Sequence, residues 1–378
     1  MILRTILAVA LLLPSPGRAD DLQGWAHRMA ARSVRDSAGL WDLGTGKLIE
    51  GHQADLALVP ASTTKVLSTY AILKTLKPNF QIETEVWGDL HGSTVSGDLI
   101  IKGAGDPYLT SERIWLMGQA LKARGVLQVT GRVRLDQSAY DSQRFGNGWE
   151  STSANTTPPV LPLSVNFNRE NGKLVQDPDR LATDTVQSIL RESGITIGER
   201  PQPGAAPQKL IAFPSLPLRD LINDINKFSN NFMIERLVKQ FGGGTWPGGI
   251  RRIQDFYATT LGLGPDKITI SDGSGLSKDN RISARTLAVV LRAVWNDFEV
   301  GPEMVDSLKT IGGEPWKLHI KDPNLARRIR CKTGHLNGVT SVCGYLQTLD
   351  GQLRVFAIIL NGPCDEGDAW ELVSRWAN

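Results

Sequence analysis

Histidine and cysteine are scarce in this sequence, and their scarcity argues against metal chemistry. The 378 residues include five histidines and three cysteines. The cysteines, Cys331, Cys343 and Cys364, do not have the spacing of zinc ligands, and the histidines form no HExxH pattern. We therefore expect the protein to use neither a metal ion nor another cofactor.

A large excess of charge of either sign is also missing. Lysine and arginine number 42 against 39 aspartates and glutamates, which gives a net charge of +3 at neutral pH. Proteins that bind nucleic acids usually carry a strongly basic surface or stripe, so we expect no nucleic-acid partner. The hydrophobic share of 41% is instead typical of a globular chain, and the length allows two or more packed units.

Long hydrophobic runs are absent apart from one short segment near the N-terminus. This run extends from Ile6 to Leu13 and is far shorter than the roughly 20 residues that span a bilayer. Arg4 precedes it and small residues follow it, which is typical of a secretory signal peptide. We predict that residues 1–19 are removed and that the mature chain begins near Asp20.

Export has consequences for location and for the cysteines. We expect a soluble periplasmic protein whose contact with a membrane is peripheral at most. An exported chain can oxidise two of its three cysteines, which leaves one unpaired within the monomer. The sequence leaves the cysteine pairing and the oligomeric state open.

The apolar patterns predict an α+β fold. A hairpin is predicted over 37–50, and a meander of three strands over 328–333, 340–348 and 352–360. We expect the hairpin and the meander to share one antiparallel sheet. The helices expected to flank this sheet are those over 218–225, 230–241, 249–261, 283–295 and 368–376.

Residues 80–214 have a different texture, with short alternating segments broken by Gly, Ser, Asp and Asn. They include helical patterns over 111–123 and 182–193 and end in a proline-rich stretch that is typical of a linker. We therefore predict an inserted strand-rich domain over 80–214. The residues before and after it, 20–79 and 215–378, would form one discontinuous domain.

An SxxK motif begins at Ser62 and ends at Lys65, directly before a helical pattern that stops at Pro78. A serine and a lysine three residues apart on a helix share one face, so the amine can take the proton of the hydroxyl. The free N–H groups at a helix start also suit a serine that faces an oxyanion. A lone SxxK is more often a solvated pair, but this one occurs once and in a favourable context.

An SxN motif is formed by Ser229 and Asn231, although the triplets over 153–155 and 164–166 match the same pattern. We favour Ser229 because it leads into an amphipathic helical pattern that would hold its hydroxyl rigidly between helices. The alternative, which is equally probable for this serine taken alone, is an ordinary helix N-cap.

A KTG motif, Lys332, Thr333 and Gly334, lies on a predicted strand and also occurs once. A lysine on a strand is normally solvated. Here Gly334 leaves room for the backbone of another molecule, and the two preceding side chains can bind a carboxylate by charge and hydroxyl. The joint order of the three motifs is far less probable by chance than any one of them.

The three motifs in this order resemble those of the penicillin-binding proteins, and the chain is similar to the class C low-molecular-mass D-alanyl-D-alanine carboxypeptidases and endopeptidases. The long gap between the first two motifs falls where that family carries insertions, and its length predicts one inserted domain and not two. His335 departs from the threonine that the family often has there. The stretches that carry the resemblance are PASTTK (60–65), GAGDPYL (103–109), SVNF (164–167), SNN (229–231) with Glu235, DGSGLS (272–277) with Asn280 and Arg281, and CKTGHLNGVTSVCGY (331–345).

This resemblance implies a penicillin-binding transpeptidase/β-lactamase-like fold and a serine carboxypeptidase or endopeptidase that acts on peptidoglycan stem peptides. It also implies that β-lactams acylate the nucleophile. The implied catalytic roles are Ser62 as nucleophile, Lys65 as base with its pKa lowered by burial or by the charge of Lys332, Ser229 as proton relay, and Asn231 as the group that orients Lys65 and the substrate amide. Lys332 and Thr333 with Gly334 would form the substrate-binding strand, and the backbone N–H groups of Ser62 and His335 the oxyanion hole.

Two other functions fit the same motifs. A serine β-lactamase or esterase would need efficient deacylation, and the sequence shows no dedicated glutamate base. A catalytically silent wall-binding protein would not need the intact motifs. Two features also keep two readings each: Asp106 either makes an Asp-Pro turn, which we favour, or binds a stem-peptide side chain, and the DGSGLS stretch is either structural or functional.

Overall fold

The computed structural model describes residues 21–150, 157–310 and 323–378, and the structural statements below concern these residues. The predicted signal peptide, the predicted start near Asp20 and the SxN-like triplet over 153–155 lie outside them. No helix in the described ranges is long and apolar enough to span a bilayer.

A six-stranded antiparallel sheet, the main sheet, joins strands from the two ends of the chain. Its order is β13-β14-β15-β16-β1-β2, so the first hairpin pairs with the last strand of the meander. The prediction that hairpin and meander share one sheet is confirmed. Its strands are β1 (Arg35–Asp42), β2 (Leu48–His52), β13 (Lys309–Thr310), β14 (Ile329–Leu336), β15 (Val339–Gln347) and β16 (Leu353–Asn361).

Helices cover both faces of the main sheet. One face packs against α1 (Leu22–Ala31) and α11 (Glu366–Ala377), which bury Trp25 and Trp370. The sequence patterns missed α1. The other face forms the larger apolar core, built mainly on α2 (Thr64–Leu76), α5 (Leu218–Lys227), α6 (Asn231–Phe241), α7 (Trp246–Leu261), α8 (Ala284–Asn296) and α9 (Gly301–Ser307).

A second sheet, with its own apolar core, is formed by strands between residues 83 and 214. Its order is β10-β3-β4-β5-β9, and β6 pairs with β4. Helices α3 (Ser111–Ala123) and α4 (Pro178–Glu192) pack on it. Its strands are β3 (Glu83–His91), β4 (Thr94–Lys102), β5 (Gln128–Val129), β6 (Val133–Asp136), β9 (Thr196–Ile197) and β10 (Gln208–Pro214).

The proline-rich stretch after residue 200 is more than the linker that its composition predicted. It contains β10, which pairs with β3 and buries Leu210 and Phe213. Proline is tolerated on an edge strand, where its missing N–H is not needed for a ladder hydrogen bond, and β10, which ends at Pro214, lies at the edge of this sheet. The proline content of this stretch therefore led the sequence analysis to miss a strand.

Short elements complete the described chain. Two small ribbons pair β7 (Arg169–Glu170) with β8 (Lys173–Leu174) and β11 (Ile268–Thr269) with β12 (Arg281–Ile282). Helix α10 (Pro323–Arg327) precedes β14.

The three cysteines form no disulfide with one another within the described residues. Cys331 and Cys343 lie on neighbouring strands but belong to apolar cores on opposite faces of the main sheet. A bridge between them would require the backbone to move, because their side chains point apart. Cys364 lies after β16 beside the α1 and α11 core.

Candidate active site

Ser62 lies in a tight 3₁₀ turn, Ala61–Thr63, that leads directly into α2. Ala61 has a φ of 47°, in the left-handed region that costs energy for a residue with a Cβ. The turn is held because the Thr63 and Ser341 hydroxyls both donate to the carbonyl of Pro60, at 2.7 and 2.6 Å. Ser62 is partly exposed in this strained turn, just before the N-terminus of α2.

Lys65 is fully buried one helical turn later. Its amine lies 3.0 Å from the Ser62 hydroxyl, 2.6 Å from the side-chain oxygen of Asn231 and 2.7 Å from the carbonyl of Ser274. The last two partners can only accept hydrogen bonds. A neutral amine has two N–H bonds for these acceptors, so its lone pair is left facing the serine hydroxyl.

Burial makes this neutral form accessible near neutral pH. It lowers the pKa of Lys65 to about 7, against the opposing charges of Glu235 and Asp272, which stabilise the ammonium. Burial, one of the two causes that the sequence analysis allowed, is therefore what lowers the pKa of Lys65. A base with this pKa can accept a proton from serine at physiological pH.

Ser229 lies in the connection between α5 and α6, with a left-handed φ of 54°. The cap of α6 is its neighbour Asn230, whose side chain accepts from the N–H of Met233. The Ser229 hydroxyl instead accepts a 2.8 Å hydrogen bond from the amine of Lys332. The N-cap reading of Ser229 is therefore wrong for this serine.

The KTG residues lie on β14, facing the turn that carries Ser62. Lys332 is fully buried, and burial together with the charge of Lys65 lowers its pKa well below the usual value. Its amine also donates to the carbonyl of Thr333, at 2.7 Å. Gly334 packs so closely that a Cβ would lie 2.7 Å from the Ser62 nitrogen. His335, the next residue, has an exposed side chain.

The structure thus brings the residues of the three motifs together around one cleft. The 164–166 triplet takes no part in these contacts, because Val165 belongs to the core of the second sheet and the Asn166 side chain bonds to Ser111 at the start of α3. A cavity of about 370 Å³ opens beside Asn231. Its other lining residues are Thr157, Pro158, Phe167, Arg169, Phe228, Asn230 and Phe232.

The structure shows the contacts of Asp106 and of the DGSGLS stretch, the two features for which the sequence left two interpretations. Asp106 is buried and accepts from the N–H of Tyr108 at 2.9 Å, which is the geometry of the Asp-Pro turn. The DGSGLS stretch forms a tight turn in which Asp272 accepts from the N–H groups of Gly275 and Ser277. Its Ser274 carbonyl also holds Lys65, so this structural turn contributes to the site.

Sequence reasoning missed the Ser274 carbonyl, because a backbone acceptor leaves no signature in residue type. It also missed Trp149, whose indole N–H donates to Asp272 at 2.9 Å. The described residues contain no group of three or more His, Cys, Asp or Glu side chains arranged to bind a metal.

Comparison with known proteins gives relatives over nearly the whole chain. Residues 27–172 and 160–376 match the sequence profile of the D-Ala-D-Ala carboxypeptidase 3 (S13) family. A carboxypeptidase of Mycobacterium tuberculosis is 26% identical over 401 residues, which cover 94% of this chain and 83% of that protein. A D-alanyl-D-alanine carboxypeptidase of an Actinomadura species is 24% identical over 479 residues, which cover 94% and 85%.

A solved structure shows the same fold. The crystal structure of penicillin-binding protein 4 from Haemophilus influenzae superposes with a TM-score of 0.78 at 19% identity, covering 93% of this chain and 98% of that one. A complex of that protein with a β-lactam superposes with a TM-score of 0.73 at 18% identity, covering 91% and 95%. The predicted fold class is confirmed.

Proposed function

The chain belongs to the D-Ala-D-Ala carboxypeptidase 3 (S13) family, and we propose that Ser62 is the nucleophile of the serine D-Ala-D-Ala carboxypeptidase and endopeptidase activity that this membership gives it. The observation that supports this most strongly is the buried amine of Lys65, 3.0 Å from the Ser62 hydroxyl and held by two acceptor-only oxygens. A serine next to such a base is activated without histidine.

The first step is acylation. Neutral Lys65 takes the proton of Ser62 as its oxygen attacks the carbonyl of the D-alanyl-D-alanine bond, and the negative charge develops on the carbonyl oxygen. We assign the stabilisation of this oxyanion to the backbone N–H groups of Ser62 and His335. When the carbon–nitrogen bond breaks, the proton passes to the leaving D-alanine amine, with Ser229 as the relay.

The second step releases the acyl group. Water attacks the ester on Ser62 and gives a proton to Lys65, which returns it to the serine oxygen when the ester breaks. In endopeptidase action the same carbonyl is attacked, but the leaving amine belongs to a crosslinked stem peptide.

We assign substrate binding to the KTG strand. Lys332 has a buried amine and Thr333 a half-buried hydroxyl on β14, and together they suit the terminal carboxylate of the substrate. Because Lys332 also donates to Ser229, binding of a carboxylate would be linked to the proton relay. Asn231 keeps the amine of Lys65 in place through its side-chain oxygen.

β-Lactams are proposed to acylate Ser62, since they resemble the D-alanyl-D-alanine end of the substrate. The β-lactam complex of the H. influenzae relative is consistent with this. We also propose that the protein acts on peptidoglycan in the periplasm, with peripheral membrane contact at most. Fractionation of expressing cells, with the cleaved N-terminus sequenced, tests the location separately from the chemistry.

Mass spectrometry after exposure to penicillin tests the nucleophile. The wild-type protein should gain the mass of one penicillin on the peptide that contains Ser62, and Ser62→Ala should gain none. Ser188→Ala is the matched control, because Ser188 lies on the exposed face of α4 and its hydroxyl donates to Glu192 on the same helix. An adduct on another peptide, or one retained by Ser62→Ala, would overturn the assignment.

The serine β-lactamase alternative is separated by turnover. Glu235, the carboxylate that follows the SxN motif on α6, is fully buried and occupied by three N–H donors, so it does not reach the cleft as a deacylation base. We therefore expect a long-lived penicillin adduct. Steady hydrolysis of penicillin with many turnovers would favour the β-lactamase.

A further inference from the structure

Two buried carboxylates lie behind Lys65 and fix the loop over 272–277. Glu235 accepts from the N–H groups of Gly273 and Ser274, at 3.1 and 2.6 Å. Asp272 accepts from the N–H groups of Gly275 and Ser277, at 2.9 and 2.7 Å. Two buried carboxylates thus orient four backbone N–H groups of this loop.

This arrangement sets the direction in which the carbonyls of the loop point. Because its N–H groups point toward the carboxylates, the Ser274 carbonyl points toward Lys65 and accepts from its amine at 2.7 Å. The Gly273 carbonyl accepts from the hydroxyl of Ser68, which lies on the same face of α2. The position of the loop therefore sets the direction of the Lys65 amine relative to Ser62.

Each carboxylate also accepts from one tryptophan. The indole N–H of Trp149 donates to Asp272 at 2.9 Å, and that of Trp246 donates to Glu235 at 2.7 Å. The two rings pack edge to face, with centroids 6.0 Å apart and planes at 77°. We refer to Trp149 and Trp246 as the tryptophan pair.

The two members of the pair come from different parts of the chain. Trp246 is the first residue of α7, whereas Trp149 lies in the segment that follows β6 of the second sheet. That segment is bound to the residue that follows the loop, because Lys278 forms a 2.7 Å ion pair with Glu150 and its N–H donates to the carbonyl of Gly148. The second-sheet part of the chain thus contributes directly to the support of the base.

We propose that the tryptophan pair positions Lys65, by orienting the two carboxylates that fix the Ser274 carbonyl against its amine. This rests on the proposed function of Ser62 and Lys65. A buried carboxylate that loses an N–H donor reorients or draws in water, and the backbone that it orders moves with it. Small displacements of a base reduce its rate strongly, because proton transfer requires close geometry.

Phenylalanine variants isolate the N–H groups. Trp149→Phe and Trp246→Phe keep most of the ring packing and remove one donor each. We expect each to slow acylation by a fluorescent penicillin about tenfold, which corresponds to about 1.4 kcal/mol of transition-state stabilisation. The dissociation constant of the initial complex should stay the same, because the two N–H groups that are removed bond to the buried carboxylates Asp272 and Glu235.

Trp376→Phe is the matched control. Its indole N–H also donates to a carboxylate, Glu50 at 2.7 Å, but against the opposite face of the main sheet. We expect it to acylate at the wild-type rate. Melting temperatures of all three variants show that the folded protein is being measured, and Trp246→Phe carries the test if Trp149→Phe does not fold.

A double-mutant cycle gives a second readout. If Trp149 acts through Asp272, Trp149→Phe should cause no further loss of acylation in the Asp272→Asn background. Additive losses, a wild-type acylation rate in the folded phenylalanine variants, or an equal loss in Trp376→Phe would each overturn the proposal. Absence of acylation in the wild-type protein would instead refute the proposed function.

Discussion

Lys65→Met is predicted to abolish acylation and at the same time to stabilise the folded protein near neutral pH. The lysine is fully buried, and its pKa falls from the usual 10.5 to about 7 in the folded chain. The unfolded chain keeps its proton up to the usual pKa. Between these two values the unfolded state binds more protons than the folded state, so the wild-type protein gains stability as the pH rises.

The magnitude follows from linkage. At pH 7.5 the lowered pKa of Lys65 costs the folded protein about 4 kcal/mol, and at pH 9 about 2 kcal/mol. Methionine removes this cost but leaves the oxygens of Asn231 and Ser274 without their donor, which takes back about 2 kcal/mol. Lys65→Met should therefore be about 2 kcal/mol more stable than wild type at pH 7.5 and about equal at pH 9.

Urea unfolding of both proteins between pH 7.5 and 9 measures this difference. The range begins above the pKa of Glu235, which burial first and Asp272 next raise to about 7. Ser62→Ala is the control, because it is equally inactive but keeps the lysine and should show the wild-type pH dependence. A difference between Lys65→Met and wild type that does not change with pH would refute the assignment of a buried, neutral base.

Three further predictions concern the cleft. Gly334→Ala should lower acylation more than about 100-fold in stopped-flow measurements, because its Cβ would lie 2.7 Å from the Ser62 nitrogen and 2.4 Å from the Ser341 hydroxyl; a near-normal rate would contradict this packing. The acylation rate of the wild-type protein should rise about tenfold per pH unit on the acid side and level off near pH 7, where Lys65 becomes neutral; a flat profile between pH 5 and 8 would exclude Lys65 as the base. His335→Thr should acylate within about twofold of wild type, since only its backbone N–H is assigned a role and its side chain is exposed; a large loss would show that the imidazole takes part.

The elements of the main sheet are predictable because their patterns are local. Residues 340–348 and 352–360 form continuous apolar strands separated by a turn at Asp350 and Gly351, and the structure has β15 and β16 there. Helix α1 is missed because its buried residues lie next to the predicted signal peptide. The predicted domain limits, which depend on where the chain leaves one core for another, stay a prediction.

Part of the candidate site is likewise predictable from local patterns. The SxxK spacing points to Ser62 and Lys65, and the KTG triplet points to the strand that faces them. The support behind Lys65 depends on contacts between distant parts of the chain: Trp149 lies 123 residues before Asp272, and its partner atom is a carboxylate inside a turn. Such contacts arise only when the second-sheet segment packs on the loop, and no local pattern encodes them.

The KTG strand and the loop over 272–277 both pack against the backbone nitrogen of Ser62. Gly334 of the KTG strand approaches it from one side, and a Cβ on Gly275 of the 272–277 loop would lie 3.0 Å from it and 1.9 Å from the Ala61 carbonyl. Gly275 has a φ of +85°, so glycine is required there for conformation as well as for space. The loop whose Ser274 carbonyl accepts from Lys65 therefore also packs directly against the turn that carries Ser62, the proposed nucleophile. On the proposed roles, a shift of this loop would displace both the base and the nucleophile, so the two carboxylates and two indole donors that fix it would support both groups.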